Sequence, residues 1–187
     1  MYTLLNNNYV GEEKEIFNKI NNVVVERVGG VFFLYGYGGT GKTFMWKTIA
    51  SAIKSQGKIV LLVASSGITS LLFPGGRTTH SKFKISIPPL DNSICNIEQG
   101  SETSELLKKA ELIIWDEAPM AHKYCFEALD RSLRDIMKGH CNEQLVFGGK
   151  VIVFCGDFRQ ILPVIPGGTR SDIVHATINS SYLWDHC

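Results

Sequence analysis

GYGGTGKT, residues 36–43, follows the apolar run VFFLYG (31–36) and opens into FMWKTIASAIKS (44–55). Few tasks require bare backbone, one ammonium and one hydroxyl so close together; binding a phosphate is one of them. The glycines let successive amide N–H groups curl around an anion without Cβ clashes, and a helix starting near Thr43 turns its positive end toward it. The pattern G-x-x-x-x-G-K-[ST] carries this mechanism when a strand precedes it and a helix follows, and both flanks are expected here. Gly36, Gly38, Gly39, Thr40, Gly41, Lys42 and Thr43 are thus the expected nucleotide-binding residues. Lys42 would bridge the outer phosphates of a nucleoside triphosphate and the Thr43 hydroxyl would hold Mg²⁺.

Three more apolar runs share the character of the first: KIVLLVAS (58–65), ELIIWDE (111–117) and KVIVFCGD (150–157). Each is continuous rather than alternating, as in strands covered on both faces. Helical stretches lie between them: Thr43 to about Ser55 with Gly57 beyond, SETSELLKKA (101–110) with Ser101 or Ser104 as N-cap, and YCFEALDRSLRDIMKG (124–139) ended by Gly139. In the last of these, Phe126, Leu129, Leu133, Ile136 and Met137 form a stripe at helical spacing, expected to face the core. Strands alternating with helices predict an α/β doubly wound sheet. FPGGRTTHSKFKISIPPLDNSI (73–94) has turn and basic residues without a period and reads as a loop or extended insertion.

At 187 residues the chain suits one domain, and its 44% hydrophobic and 20% charged residues place it among ordinary globular sequences. The apolar runs all end well short of the roughly 20 residues a bilayer requires. Five scattered cysteines without a CxxC pair argue against a disulfide framework or a zinc site. The amino terminus lacks the pattern of a secretory signal, so an intracellular protein is expected. A net charge of +1 advertises no general affinity for nucleic acid, so any such contact must be local. The apolar ending SSYLWDHC (180–187) reads as a chain cut inside a larger protein.

LIIWDEAPM (112–120) places Asp116 and Glu117 at the end of an apolar strand, where carboxylates are costly unless a cation faces them. Asp116 is the expected Mg²⁺ partner with Thr43, and Glu117 the group that orients and deprotonates an attacking water. A Glu directly after the Asp favours hydrolysis over phosphoryl transfer to a metabolite. Gln160, after the fourth strand, offers a donor and an acceptor to the γ-phosphate and the lytic water. Lys42, Glu117 and Gln160 are the expected catalytic set.

Taken together, GYGGTGKT, ASSGITSLLFPGGRTTHSKFKI (64–85), LIIWDEAPM and VFCGDFRQILPVIPGG (153–168) closely resemble the Pif-type superfamily-one DNA helicases, particularly the plant branch that includes helicases of Helitron transposons. The resemblance implies the amino-terminal RecA-like domain of such an enzyme: a P-loop NTPase with a three-layer parallel sheet flanked by helices. It implies an ATP- and Mg²⁺-dependent motor that moves 5′ to 3′ on single-stranded DNA and opens duplex junctions. It also implies roles in DNA repair, recombination and telomere maintenance, in the nucleus or alternatively the mitochondrion. Family topology would insert the VIVFCGD strand between the phosphate-loop strand and the LIIWDE strand. Residues 1–30 would form the adenine-side segment and 66–100 a loop-rich insertion contacting DNA, with Ser66, Thr79, His80 and Ser81 on its phosphates and Phe83 offering a stacking face. Arg77, Lys82 and Lys84 would add local positive charge.

Two departures from the family pattern stand out. Where the family carries an adenine-reading Gln, LLNNNYVGEEKEIF (4–17) offers Glu13, which accepts but cannot donate, so a weakened preference for adenine over guanine is expected. No second RecA-like domain, the source of the family's arginine fingers, follows in this sequence, so slow hydrolysis and no unwinding are expected of the chain alone. Two rival readings are a small P-loop nucleotide or metabolite kinase and a truncated transposon-derived module that binds nucleotide or DNA with little turnover. Only Arg159 and Arg170 follow Lys150, too few for a kinase lid, and the intact Lys42, Asp116, Glu117 and Gln160 show no decay of the chemical machinery.

Overall fold

A computed structural model describes residues 2–4, 10–37, 41–139 and 144–187. The four apolar runs form β2 (Gly30–Gly36), β3 (Ile59–Ala64), β5 (Ala110–Asp116) and β6 (Val151–Gly156). Two short strands, β1 (Tyr2–Leu4) and β4 (Arg77–Thr78), extend the sheet beyond the four expected. At three and two residues they are too short for any sequence period to reveal. The order is β1-β2-β6-β5-β3-β4 with every pairing parallel, and β6 lies between β2 and β5 as the resemblance implies.

Helices cover both faces, which explains why the central strands are apolar throughout. On one side α1 (Val10–Glu26) and α2 (Lys42–Ser55) bring Ile20, Trp46 and Ile49 onto Phe32, Leu34 and Val153. On the other, α5 (Glu102–Lys109) and α6 (Lys123–Ile136) bring Leu107, Phe126 and Leu129 onto Phe33, Trp115 and Phe154. Burying each such side chain stabilises the fold by about 1.5–3 kcal/mol. Ser101, rather than Ser104, caps α5 by accepting the Ser104 N–H at 3.3 Å. Beyond α6 the chain passes through Gly139 at φ 86°, the left-handed region that favours glycine.

One buried carboxylate fastens α6 to the segments that come after it in the chain. Asp130 is 1% exposed and accepts from Arg134 Nε, from the Phe147 amide and, at 2.7 Å, from the Tyr182 hydroxyl. The 66–100 segment carries short elements amid its loops, two of them inside 73–94, where a loop or extended insertion is expected. It holds α3 (Gly67–Ser70), β4 and α4 (Thr79–Phe83), because Ser66 and Thr78 each cap a turn, accepting from Thr69 N–H at 3.1 Å and Ser81 N–H at 3.3 Å. A last short helix, α7 (Arg170–His175), starts with a reciprocal Thr169–Asp172 capping box.

Candidate active site

All the central strands run parallel, so their carboxyl ends share one edge of the sheet, the place where ligands bind in open α/β folds. A cleft of about 430 Å³ opens there, lined by Gly41, Lys42, Thr43, Thr69, Leu72, Asp116, Glu117, Gly156 and Gln160. Gly41 stands at φ 81° and caps α2 without a side chain. Since the Met45 N–H is the one that closes on the Gly41 carbonyl, at 2.9 Å, the earlier amides of the helix are left for a ligand. The Lys42 ammonium rests on the carbonyls of Gly36 and Tyr37, the latter at 2.7 Å. Burial lowers its pKa, against the pull of the Asp157 and Asp116 carboxylates. Gly38, Gly39 and Thr40 lie outside the described residues.

Asp116 closes β5 at 7% exposure and accepts the Glu117 N–H at 2.9 Å. Burial pushes its carboxyl above the usual range, although the Glu117 amide and the Lys42 ammonium pull it down. Glu117 adopts φ 53°, ψ 39°, a left-handed conformation that costs a non-glycine residue on the order of 1–2 kcal/mol. The turn Ala118–Met120 next to it lies over Gly156: a Cβ built there would meet Pro119 Cδ at 2.2 Å. Glycine at the end of β6 thus allows the acidic turn to sit against the strand, and that approach sets the place of Glu117.

After β6 the Asp157 carboxylate accepts the Arg159 N–H at 2.9 Å and its carbonyl accepts the Gln160 N–H at 3.1 Å. The exposed Gln160, after this tight turn, lines the same cleft as Lys42 and Thr43. The cleft therefore unites Gly41, Lys42, Thr43, Asp116, Glu117 and Gln160 from β2–α2, β5 and β6. Gly36, at the end of β2, joins them through its carbonyl on Lys42.

A second, smaller cleft of about 220 Å³ lies between α1 and α2, lined by Glu13, Lys14, Phe17, Phe44, Met45 and Thr48. Glu13 Oε1 comes within 3.6 Å of the position a Cβ would take on Gly41, and the Phe44 ring is 68% exposed. An apolar, aromatic-walled hollow beside a phosphate loop has the chemistry of a base subsite.

The five residues expected on DNA do not share one surface. Ser81 is exposed, and His80 is half-buried with Nε2 3.7 Å from the Cys125 Sγ. The Ser66 hydroxyl is occupied within α3, accepting from the Thr69 amide and bonding the Thr69 hydroxyl at 2.9 Å. Thr79 and Phe83 are corrected: each is 0% exposed, and the Phe83 ring packs against Trp115 at 6.1 Å between centroids. In a five-residue helix whose one side faces the sheet, positions four apart fall on that side together. Thr69 and Leu72, which also line the cleft, are not among the site residues expected from the sequence. They arrive because α3 turns the segment after β3 back across the sheet edge, for which the Ser66 cap in ASSGITSLL was the available signal.

The PIF1-like helicase family model matches residues 8–187. Among curated proteins the chain is similar to ATP-dependent DNA helicase PIF4 of Trypanosoma brucei brucei, 32% identical over 148 residues, or 77% of this chain and 18% of that protein. It is similar to ATP-dependent DNA helicase Pif1 of Campylobacter jejuni, 33% identical over 162 residues, or 81% of this chain and 33% of that protein. Among solved structures, a Bacteroides Pif1 helicase in complex with ADP-AlF3 and ssDNA aligns with a TM-score of 0.71 at 29% identity, covering 92% of this chain and 39% of that one. Pif1 helicase from Candida albicans shares the fold with a TM-score of 0.70 at 21% identity, covering 97% and 38%. The chain spans well under half the length of each of these proteins.

Proposed function

Because the chain belongs to the PIF1-like helicase family, we propose that it is the nucleotide-binding motor domain of an ATP-dependent DNA helicase, taking ATP with Mg²⁺ and acting on single-stranded DNA and duplex junctions. The observation that carries this reading is the convergence of Lys42, Thr43, Asp116, Glu117 and Gln160 on one cleft at the carboxyl edge of the sheet. In it, the α2 amides and Lys42 bind the phosphates, and Gln160 contacts the γ-phosphate. Glu117 orients the attacking water and takes its proton. A hydroxyl and a buried carboxylate are hard oxygen donors, so Thr43 and Asp116 fit a magnesium ion, which when bound neutralises charge on the outer phosphates.

Single-stranded DNA meets the chain on the exposed side of α4, through Ser81 and the edge of His80, with Arg77, Lys82 and Lys84 supplying charge. Residues 1–30 lie on the base side of the nucleotide and 66–100 on the DNA side. Movement is 5′ to 3′, in the service of repair, recombination and telomere maintenance, in the nucleus or alternatively the mitochondrion. Arginines from a second RecA-like domain would complete the site, a contribution of about 10³–10⁵ in rate in related systems, so residues 1–187 assayed by themselves should turn over slowly and should not unwind.

The test is displacement of a fluorescent ATP analogue and release of phosphate, for wild type and Lys42→Ala, each with and without single-stranded DNA. The substitution should weaken nucleotide binding at least about tenfold, equivalent to about 1.4 kcal/mol, and DNA should stimulate wild-type release. Unchanged affinity in Lys42→Ala would overturn the phosphate-loop assignment. Release indifferent to DNA would remove the motor reading and leave a nucleotide-binding domain of another kind.

A further inference from the structure

The turn after β6 sends three consecutive side chains three ways. Phe158 packs on the sheet, stacked on Phe33 at 5.2 Å and meeting Trp184 edge-on at 5.8 Å. Gln160 reaches the nucleotide cleft. Between them the exposed Arg159 lays its guanidinium over the ring of Tyr37 at 4.6 Å. Tyr37 is the second residue of the phosphate loop, and its carbonyl is one of the two on which Lys42 rests. Its ring also meets Tyr35 edge-on at 5.6 Å, and Tyr35 in turn stacks on Phe158 at 6.3 Å. The loop that holds phosphates and the turn that carries Gln160 are therefore joined outside the cleft by a closed set of rings, with Arg159 as the lid. Among the described residues no carboxylate forms an ion pair with Arg159. The ring face is thus what orients it.

We propose that Arg159 is a positioning residue, whose stacking on Tyr37 registers the 157–160 turn against the phosphate loop and so sets where Gln160 meets a terminal phosphate. The inference rests on the reading of Gln160 as the γ-phosphate contact. Backbone bonds to Asp157 shape the turn but tie it to itself, not to the loop. Phe158 anchors one end, and the Arg159 contact ties the outer end to the loop that grips the nucleotide. A long side chain on a surface turn would otherwise be free to rotate, and the Gln160 side chain next to it would wander with the turn. The consequence is selective: a triphosphate reaches Gln160 and a diphosphate does not, so loss of the stack weakens one and spares the other.

Affinities for a non-hydrolysable ATP analogue and for ADP are to be measured, with thermal melts as a folding check, in Arg159→Ala, Arg159→Lys, Tyr37→Ala, Tyr37→Phe, Gln160→Ala and the Arg159→Ala/Gln160→Ala double variant. Arg159→Ala and Tyr37→Ala should each weaken the triphosphate by about two- to fivefold, the range of an exposed cation–π contact, with ADP unchanged. Arg159→Lys and Tyr37→Phe, which keep a cation and a ring, should retain most of the affinity, and the double variant should be no worse than Gln160→Ala. Equal losses for both nucleotides, or no loss, in Arg159→Ala while Gln160→Ala shows the selective loss would overturn the inference alone. A Gln160→Ala with an unchanged ratio of affinities would remove the γ-phosphate reading of Gln160 and the inference together.

Discussion

Replacing Gly156 by alanine tests how the acidic turn is held. The added methyl would meet Pro119 Cδ at 2.2 Å and Cγ at 2.7 Å, so reaching 3.4 Å, where ordinary van der Waals contact begins, takes a movement of about 1.2 Å. Gly156 ends a strand buried along its whole length, and the proline ring cannot rotate away, so the movement falls on the backbone of the turn. Glu117, already in the left-handed region, is the residue that precedes that turn. Overpacking of this kind costs about 1–3 kcal/mol, and each kcal/mol lowers Tm by roughly 2–4 °C in a domain of this size. Displacing a catalytic group by about 1 Å can cost on the order of 10²-fold in rate. The assay is a thermal melt alongside DNA-stimulated phosphate release. Pro119→Ala deletes both clashing carbons, so the Gly156→Ala/Pro119→Ala double variant should recover most of the lost Tm. Wild-type stability and turnover in Gly156→Ala, or a double variant no better than the single one, would refute the argument.

Other consequences concern charge, base and core. Burial raises the folded-state pKa of Asp116 above its unfolded value, so the folded chain holds that proton more tightly. Stability is then lost as pH rises from the ordinary carboxylate range through the raised value, and the penalty persists above it. Asp116→Asn should accordingly raise the Tm of the ligand-free chain at pH 7 but not at acid pH where both states are protonated; a lower Tm at pH 7 contradicts this. With Glu13 beside Gly41, ATP and GTP should displace a fluorescent nucleotide about equally and Glu13→Gln should restore preference for ATP; strong ATP preference in wild type sinks the expectation. Phe83→Ala should cost about 3–5 kcal/mol of stability, whereas Phe83→Leu should leave affinity for single-stranded DNA unchanged, and a tenfold loss of binding there would return the ring to the DNA.

How much the sequence disclosed depends on the range of the interactions involved. The four long strands were legible because burial on both faces writes itself as an unbroken apolar run, and GYGGTGKT was legible because its constraint is local. Gln160 and Asp116 could be placed at strand ends, but their meeting with Lys42 depends on β6 inserting between β2 and β5, which no local pattern encodes. The same limit explains why the short elements α3, β4 and α4 carry no periodic signal in the sequence. Capping by Ser66 and Thr78 builds helices of four and five residues, below the length at which a period can register. Phe83 looked like a stacking face because a basic loop and a half-buried helix share composition. Its inward direction is set by Trp115 on a strand far away in sequence.

The cleft sets a buried carboxylate and a half-buried ammonium close to one another. Burial lowers the pKa of the half-buried Lys42 and raises that of the buried Asp116, and each charge opposes the shift of the other. The Lys42 ammonium meanwhile lies on two carbonyls, a partial substitute for an anion. A polyphosphate arriving alone would satisfy the lysine but set more negative charge beside Asp116 and Glu117. A divalent cation arriving alone would satisfy the aspartate but crowd the lysine. On the proposed reading the two together should relieve both, and by linkage each would then strengthen the binding of the other to the same degree. On the proposed reading, a metal-complexed nucleotide should therefore bind more tightly than either component alone, because opposite charges, one buried and one half-buried, face each other at one sheet edge; equal affinity for the nucleotide with and without Mg²⁺ would refute this.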